Sequence, residues 1–230
     1  MDGILLVDKP QGWTSHDVVA KVRSVLKQSG VNKPKVGHTG TLDPLATGLL
    51  VLVVGSYTKR AQEFTKLDKT YEVTMKLGAT STTGDSEGTI SSYSTLSRKI
   101  RTAITEAEVK KVLRSFVGEI DQVPPVFSAI KVGGQRAYKL ARAGKEVKLE
   151  SRKVKIYEIT GVEYAYPEVK FTAKVSSGTY IRSLVEDIGK KLGAGAYMTA
   201  LRRTEVGGWG INDAQRVESA NIKALLPRLL

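Results

Sequence analysis

Residues 37–48 read Gly37-His38-Thr39-Gly40-Thr41-Leu42-Asp43-Pro44-Leu45-Ala46-Thr47-Gly48, and they run straight into the apolar stretch Leu49-Leu50-Val51-Leu52-Val53-Val54. A continuous apolar run of that length, rich in β-branched valine, predicts a buried strand. Three glycines, an imidazole and a carboxylate just ahead of such a strand describe a loop held close to something. The loop is not a phosphate loop, because no Lys-Ser or Lys-Thr pair follows its glycines at the required spacing. No dinucleotide fingerprint occurs elsewhere, so nucleoside triphosphate hydrolysis is not expected. Asp43 itself has two readings: a turn residue in an Asp-Pro step, or a reacting carboxylate. Spacing alone leaves both open.

Outward from this loop, periodicity supplies the outline. Residues 3–7 predict a short buried strand. Ser15 is expected to cap a helix whose apolar positions Val18, Val19, Val22, Val25 and Leu26 recur at helical spacing before Gly30 ends it. Tyr71, Val73, Met75 and Leu77 alternate with Glu72, Thr74 and Lys76, as on a half-buried strand. Thr105 and Glu108 form a capping-box pattern ahead of Val109, Val112, Leu113 and Phe116, with Gly118 expected at that helix's end. Val169, Phe171, Ala173 and Val175 alternate again, and Ser176-Ser177-Gly178 then turns the chain into a helix through Ile181, Leu184, Val185 and Ile188. A last helix-like pattern covers 213–226. An irregular order of strands and helices, without a repeating βαβ unit, predicts an α+β domain with a mixed, largely antiparallel sheet flanked by helices.

Composition narrows the partners. The 230 residues carry 36 Lys+Arg against 23 Asp+Glu, a formal charge of +13 that attracts a polyanion over long range. Nucleic acid is the first expectation. A membrane span is not expected, because no apolar run approaches the ~20 residues that cross a bilayer, nor is surface attachment, because segment 123–155 lacks the large aromatic or leucine face that an interfacial helix inserts. The opening MDGILLVDKPQGW lacks the basic-then-apolar layout of a signal peptide, which predicts a cytoplasmic protein. With no cysteine, and with His16 and His38 its only histidines, the sequence offers no thiolate or histidine-rich metal site. Segment 123–155 stands apart: it opens on Pro124-Pro125 and gathers Lys131, Arg136, Lys139, Arg142, Lys145, Lys148, Arg152, Lys153 and Lys155 against Glu146 and Glu150. It reads as a basic arm, either a solvated face or an RNA contact. Tyr138, within it, either stacks on a base or packs its own helix down.

Four motifs, in order, resemble those of the tRNA pseudouridine synthase B family over nearly the whole chain. Asp8-Lys9-Pro10-Gln11-Gly12-Trp13-Thr14-Ser15 is similar to the family's first motif, and Gly37 to Pro44 to its catalytic loop. Lys69-Thr70-Tyr71-Glu72 is similar to the strand carrying its active-site tyrosine, and Ser177-Gly178-Thr179-Tyr180-Ile181-Arg182-Ser183-Leu184 to the segment carrying its arginine; Leu201-Arg202-Arg203-Thr204 follows.

The resemblance implies the pseudouridine synthase fold with segment 123–155 as a thumb-like insertion, in a single catalytic domain over 1–230. It also implies an isomerase that detaches uracil at position 55 of the tRNA T-loop, turns it and rejoins it through carbon 5, as a monomer without cofactor or metal. Asp43 takes the role of nucleophile, Tyr71 of stacking platform and Arg182 of the cation that favours the ionised carboxylate. His38 matches the residue that fills the place of the flipped nucleotide, Thr41 a loop contact to RNA, and Leu201 an apolar neighbour of the uracil. Lys9 matches a position that is either a phosphate contact or structural. Lys131, Arg136, Tyr138 and Arg142 become RNA contacts of the thumb. Bland readings stand beside these: Tyr71 as sheet core, Arg182 as a plain helix-face arginine, Leu201 as a core leucine at a helix end, His38 as a hydrogen-bonded loop residue. Many members carry a further C-terminal RNA-binding domain, and ending at Leu230 predicts its absence here. The competing function is an RNA-binding protein that keeps fold and arm but performs no chemistry.

Overall fold

The computed structural model describes residues 2–92 and 104–217. In chain order its strands are β1 (Gly3–Lys9), β2 (Val36–His38), β3 (Thr47–Val54), β4 (Lys69–Leu77), β5 (Ala79–Ser81), β6 (Ile90–Ser92), β7 (Gly118–Gln122), β8 (Lys131–Val132), β9 (Gln135–Arg136), β10 (Arg152–Ala165), β11 (Glu168–Val175), β12 (Ala196–Val206), β13 (Trp209–Gly210) and β14 (Gln215–Arg216). Helices cover Ser15–Gln28, Ala61–Thr65, Glu106–Arg114, Ala137–Arg142 and Ile181–Lys191. The chain divides into two compact units: Met1–Glu72 with Leu201–Leu230, and Val73–Ala200. Strands β4 and β12 contribute residues to each.

In the first unit the strand order is β14-β1-β3-β12-β4, with β2 on β3 and β13 on β12. β1 and β2 run antiparallel to β3, whereas β14 pairs with β1, and β12 with β3, in parallel. The 49–54 run becomes β3, every residue of it buried, because strands pair along it and both of its faces are covered. One face packs Ile4, Leu6, Leu49, Val51 and Val53 with Phe64 and Val206, and Trp209 leans on this cluster. The Ser15–Gln28 helix lies against β2 and buries Val18, Val19, Val22, Val25 and Leu26 as its periodicity predicts. Its cap differs from the expectation. Thr14 is the N-cap and forms a reciprocal capping box with Asp17, while Ser15 begins the helix and turns its hydroxyl elsewhere.

In the second unit the order is β12-β4-β11-β10-β7, with β10 antiparallel to both β11 and β7. Val73, Met75 and Leu77 are buried while Glu72 and Lys76 are exposed, the alternation seen in the sequence. The Glu106–Arg114 helix has the Thr105/Glu108 capping box, but it ends at Arg114 with Ser115 as its cap. Gly118 opens β7 instead of closing the helix. The Ile181–Lys191 helix buries Ile181, Leu184, Val185 and Ile188. These elements make the mixed, largely antiparallel α+β sheet that the sequence predicts. Of the expected helix over 213–226, residues 218–226 lie outside the described part; within it, Gln215–Arg216 form a strand on β1. Among the described residues no helix is long and apolar enough to cross a membrane.

Candidate active site

Asp43 sits half-buried in a turn whose main-chain oxygen accepts from Ala46 N at 3.0 Å. The chain on either side of it is fastened from distant parts of the sequence. Ser15 Oγ accepts from Leu42 N at 2.8 Å and donates to Leu42 O at 3.0 Å, so one hydroxyl satisfies both main-chain groups of the residue before Asp43. Gly12 N donates to the oxygen of Pro44, the residue after it, at 2.8 Å. Upstream, Thr39 gives both its N–H and its hydroxyl to Val51 O, and Arg203 Nη2 donates to Gly40 O at 3.1 Å. Immobilising a carboxylate through its backbone is what a reacting group needs, since small misplacements are costly in rate. The strand that follows is set just as firmly. Gly48 has φ +103°, and a Cβ there would lie 2.3 Å from Arg203 O, so only glycine fits between β3 and β12.

Arg203 is itself only 2% exposed, and it also donates from Nε to Leu49 O at 2.7 Å. Its buried charge acts on its neighbours. Lys69 is pushed down to about 8, first by burial and then by Arg203, and its ammonium donates to Thr65 O and Leu67 O. His38 is lowered by burial and secondarily by the positive charge of Arg203, which favours the neutral imidazole; its Nδ1 is buried without a hydrogen-bond partner.

The other first-unit candidates fall out as follows. Lys9 is fully buried, donating to Pro10 O at 2.9 Å and Trp13 O at 2.6 Å, which are the contacts of a structural residue. Thr41 is exposed on the loop. Tyr71 is 8% exposed and takes its place on β4 at a core-facing position. Leu201 is half-buried and belongs to strand β12, not to a helix end; its carbonyl accepts from Thr47 Oγ1 at 3.4 Å. Next to it, Arg202 forms a paired-donor ion pair with Asp8, Nη2 to Oδ2 at 2.9 Å and Nη1 to Oδ1 at 3.1 Å.

In the second unit Arg182 opens the Ile181–Lys191 helix and is 6% exposed. It is no solvent-facing helix arginine. Nη1 donates to Thr83 O at 3.1 Å, Nη2 to Phe127 O at 3.0 Å, and Nε lies 3.8 Å from Asp85 Oδ2. Asp85, 2% exposed, is held in turn by Thr83 Oγ1 at 2.6 Å and Glu87 N at 3.1 Å. A buried guanidinium demands such partners. Sequence reasoning missed Asp85, since Thr82-Thr83-Gly84-Asp85-Ser86 reads as an ordinary turn. It also missed Ser15 and Arg203 as the fasteners of the Asp43 loop, because each acts from a distant stretch of chain.

Within the basic arm, β8 and β9 form a two-residue hairpin that sets Lys131 directly opposite Arg136. Like charges across a ladder repel, and among the described residues neither they nor Arg142 has a carboxylate partner. Arg142 lies over the ring of Tyr138 at 5.8 Å, both on the Ala137–Arg142 helix. The basic run divides where β10 begins: Arg152, Lys153 and Lys155 are sheet residues, and Lys153 pairs with Glu119 at 2.6 Å.

Comparison with known proteins bears on the class of this fold. Residues 24–181 match the family described as TruB family pseudouridylate synthase (N terminal domain), and residues 182–227 the tRNA pseudouridylate synthase B C-terminal domain. The tRNA pseudouridine synthase B of Thermobifida fusca is 45% identical over 225 residues, covering 94% of this chain and 73% of that protein. The protein of the same name from Burkholderia mallei is 47% identical over 207 residues, covering 90% of this chain and 65% of that one. Among solved structures, a chain of a Cbf5-Nop10-Gar1 complex superposes with a TM-score of 0.69 at 30% identity, over 96% of this chain and 55% of that one. A chain of an H/ACA RNP bound to a substrate RNA containing 2'-deoxyuridine gives 0.65 at 29% identity, over 94% and 51%. The chain thus spans about half the length of these solved chains. Fold and sequence together define a pseudouridine synthase architecture. The chain belongs to the TruB family of pseudouridylate synthases.

Proposed function

We propose that this chain isomerises a uridine of tRNA to pseudouridine, at position 55 of the T-loop, with Asp43 as the nucleophile. The observation that carries the reading is the fastening of the loop at Thr39, Gly40, Leu42 and Pro44, which holds one half-buried carboxylate at the position matching the family's catalytic aspartate. A base inside a folded RNA loop must be extruded, at a cost of a few kcal/mol, before it can react. Asp43 then promotes cleavage of the N1–C1′ bond. The uracil turns, C5 bonds to C1′, the proton leaves C5 and N1 is left carrying a proton, so the product is an isomer of the substrate. Tyr71 offers its ring to the extruded base and Arg182 supplies the cation of the reaction. His38, Thr41 and Leu201 line the nucleotide's path. Lys131, Arg136, Tyr138 and Arg142 grip phosphates and bases from the arm, a role supported by the exposure of the three cations, which have no carboxylate partner among the described residues. The protein works as a monomer in the cytoplasm.

The test incubates an unmodified tRNA transcript with wild type and with Asp43→Asn in EDTA, then maps pseudouridine by carbodiimide labelling and primer extension. A single T-loop stop from wild type alone is expected, with tRNA binding equal in the two proteins. Tight, salt-sensitive binding without any stop would leave an RNA-binding protein instead.

A further inference from the structure

The helix that begins at Ile181 has no cap of its own. Its N-cap is Tyr180, whose side chain makes no capping hydrogen bond, where serine, threonine or aspartate would ordinarily do so. The main chain of Tyr180 is instead held by a residue distant in sequence. Gln122, the last residue of β7 and fully buried, accepts from Tyr180 N through Oε1 at 2.8 Å and donates from Nε2 to Tyr180 O at 3.1 Å. Directly across the β7–β10 ladder from Gln122 stands Arg152, the first residue of β10. Its guanidinium donates to Gly178 O and lies 4.9 Å from the centre of the Tyr180 ring.

Gln122 and Arg152 are therefore the two points where segment 123–151 leaves and rejoins the sheet, and together they hold Gly178 and Tyr180, in the turn that leads through Ile181 to Arg182. Two further bonds tie the segment's first residues to the same turn of helix: Ser183 Oγ donates to Val123 O at 2.8 Å, and Arg182 Nη2 to Phe127 O. We propose that Gln122 and Arg152 are positioning residues that couple the root of the basic arm to the orientation of Arg182. An arm pulled by RNA moves its own roots, and the roots carry the backbone from which Arg182 projects. The inference rests on the reading of Arg182 as a residue of the reaction.

The test separates binding from chemistry by measuring the tRNA Kd and the single-turnover rate of pseudouridine formation at saturating tRNA. Gln122→Leu keeps most of the side-chain volume and removes both hydrogen bonds. It should lower the single-turnover rate about tenfold or more, as expected of a misplaced reacting group, with Kd within about twofold of wild type. Arg152→Ala, at a partly exposed position, should lower the rate in the same direction and by less, and Arg152→Lys, which keeps a cation over the ring, should restore most of it. Folded variants with wild-type rates would overturn the proposal, as would a loss confined to Kd. Should Gln122→Leu fail to fold, the Arg152 pair decides by the same criteria. Wild type without any pseudouridine product would sink the enzyme reading and this inference together, whereas an active wild type with unaffected variants would sink this inference alone.

Discussion

The Asp43 loop and the basic arm each run between two strands, yet they are held in opposite ways. Loop residues 39–46 are bonded to Gly12, Ser15, Val51 and Arg203, partners that come from three other parts of the chain. Between Lys131 and Arg142, the arm instead has a two-residue hairpin and a six-residue helix, both held by neighbours close in sequence, and its cations face solvent. The difference teaches a division of labour. A reacting carboxylate requires a fixed backbone, whereas phosphate contacts require reach and charge.

The sharpest way to break this comparison is to damage each region by one methyl group. Gly48→Ala, with positive φ and a Cβ forced against the backbone of Arg203, should cost about 3 kcal/mol or more in urea unfolding and abolish pseudouridine formation. Gly134→Ala in the arm's hairpin turn, also at positive φ but with nothing near its Cβ, should cost only about 1 kcal/mol. Equal losses at the two sites would show that the strand anchoring the loop is no more tightly specified than the arm.

A smaller effect sharpens the arm's side of the contrast. Replacing Lys131, Arg136 and Arg142 together by alanine should weaken tRNA binding about tenfold at moderate salt and lower the salt dependence by about one phosphate per residue removed. Stability should stay within about 0.5 kcal/mol, because no described carboxylate loses its partner. A change in the single-turnover rate at saturating tRNA, with Kd unaltered, would contradict the assignment of these three to binding.

A separate effect, read in pH and not in a single stability value, belongs to the rigid side. The Lys69 ammonium falls from 10.5 to about 8 on folding, so between those values the unfolded chain binds more protons. Stability should therefore rise as pH increases from about 8 to 10.5, with the penalty complete below pH 8. Urea midpoints measured across that window should climb less steeply in Lys69→Met than in wild type.

Most of the frame was legible because burial imposes periods of two and 3.6 on it. β3, β4, β11 and the buried faces of the long helices follow from apolar spacing alone. Caps were less legible. Thr14 and Ser15 are adjacent and chemically alike, and only the carboxylate of Asp17 three residues after Thr14 decides between them. Gly118 resembles a helix terminator in sequence but starts a strand, since its positive φ serves the turn into β7. Asp85 was illegible for a different reason. Its partner Arg182 lies 97 positions along, and no local pattern announces an ion pair set by tertiary packing. The residues proposed to carry the site's chemistry came from the resemblance and not from spacing, by which Asp43 reads first as a turn residue.

The two hydrogen bonds between Ser15 and Leu42 have a practical side for anyone trimming the gene. The family match begins at residue 24, and a shortened chain started there would still encode Asp43 and the whole of its loop. It would lack Ser15 and Gly12, the contacts that hold the residues immediately before and after the carboxylate. Such a fragment would keep the carboxylate proposed as nucleophile and lose the contacts that fix its backbone, so under the proposed function the minimal unit reaches back to include the first helix and the turn ahead of it.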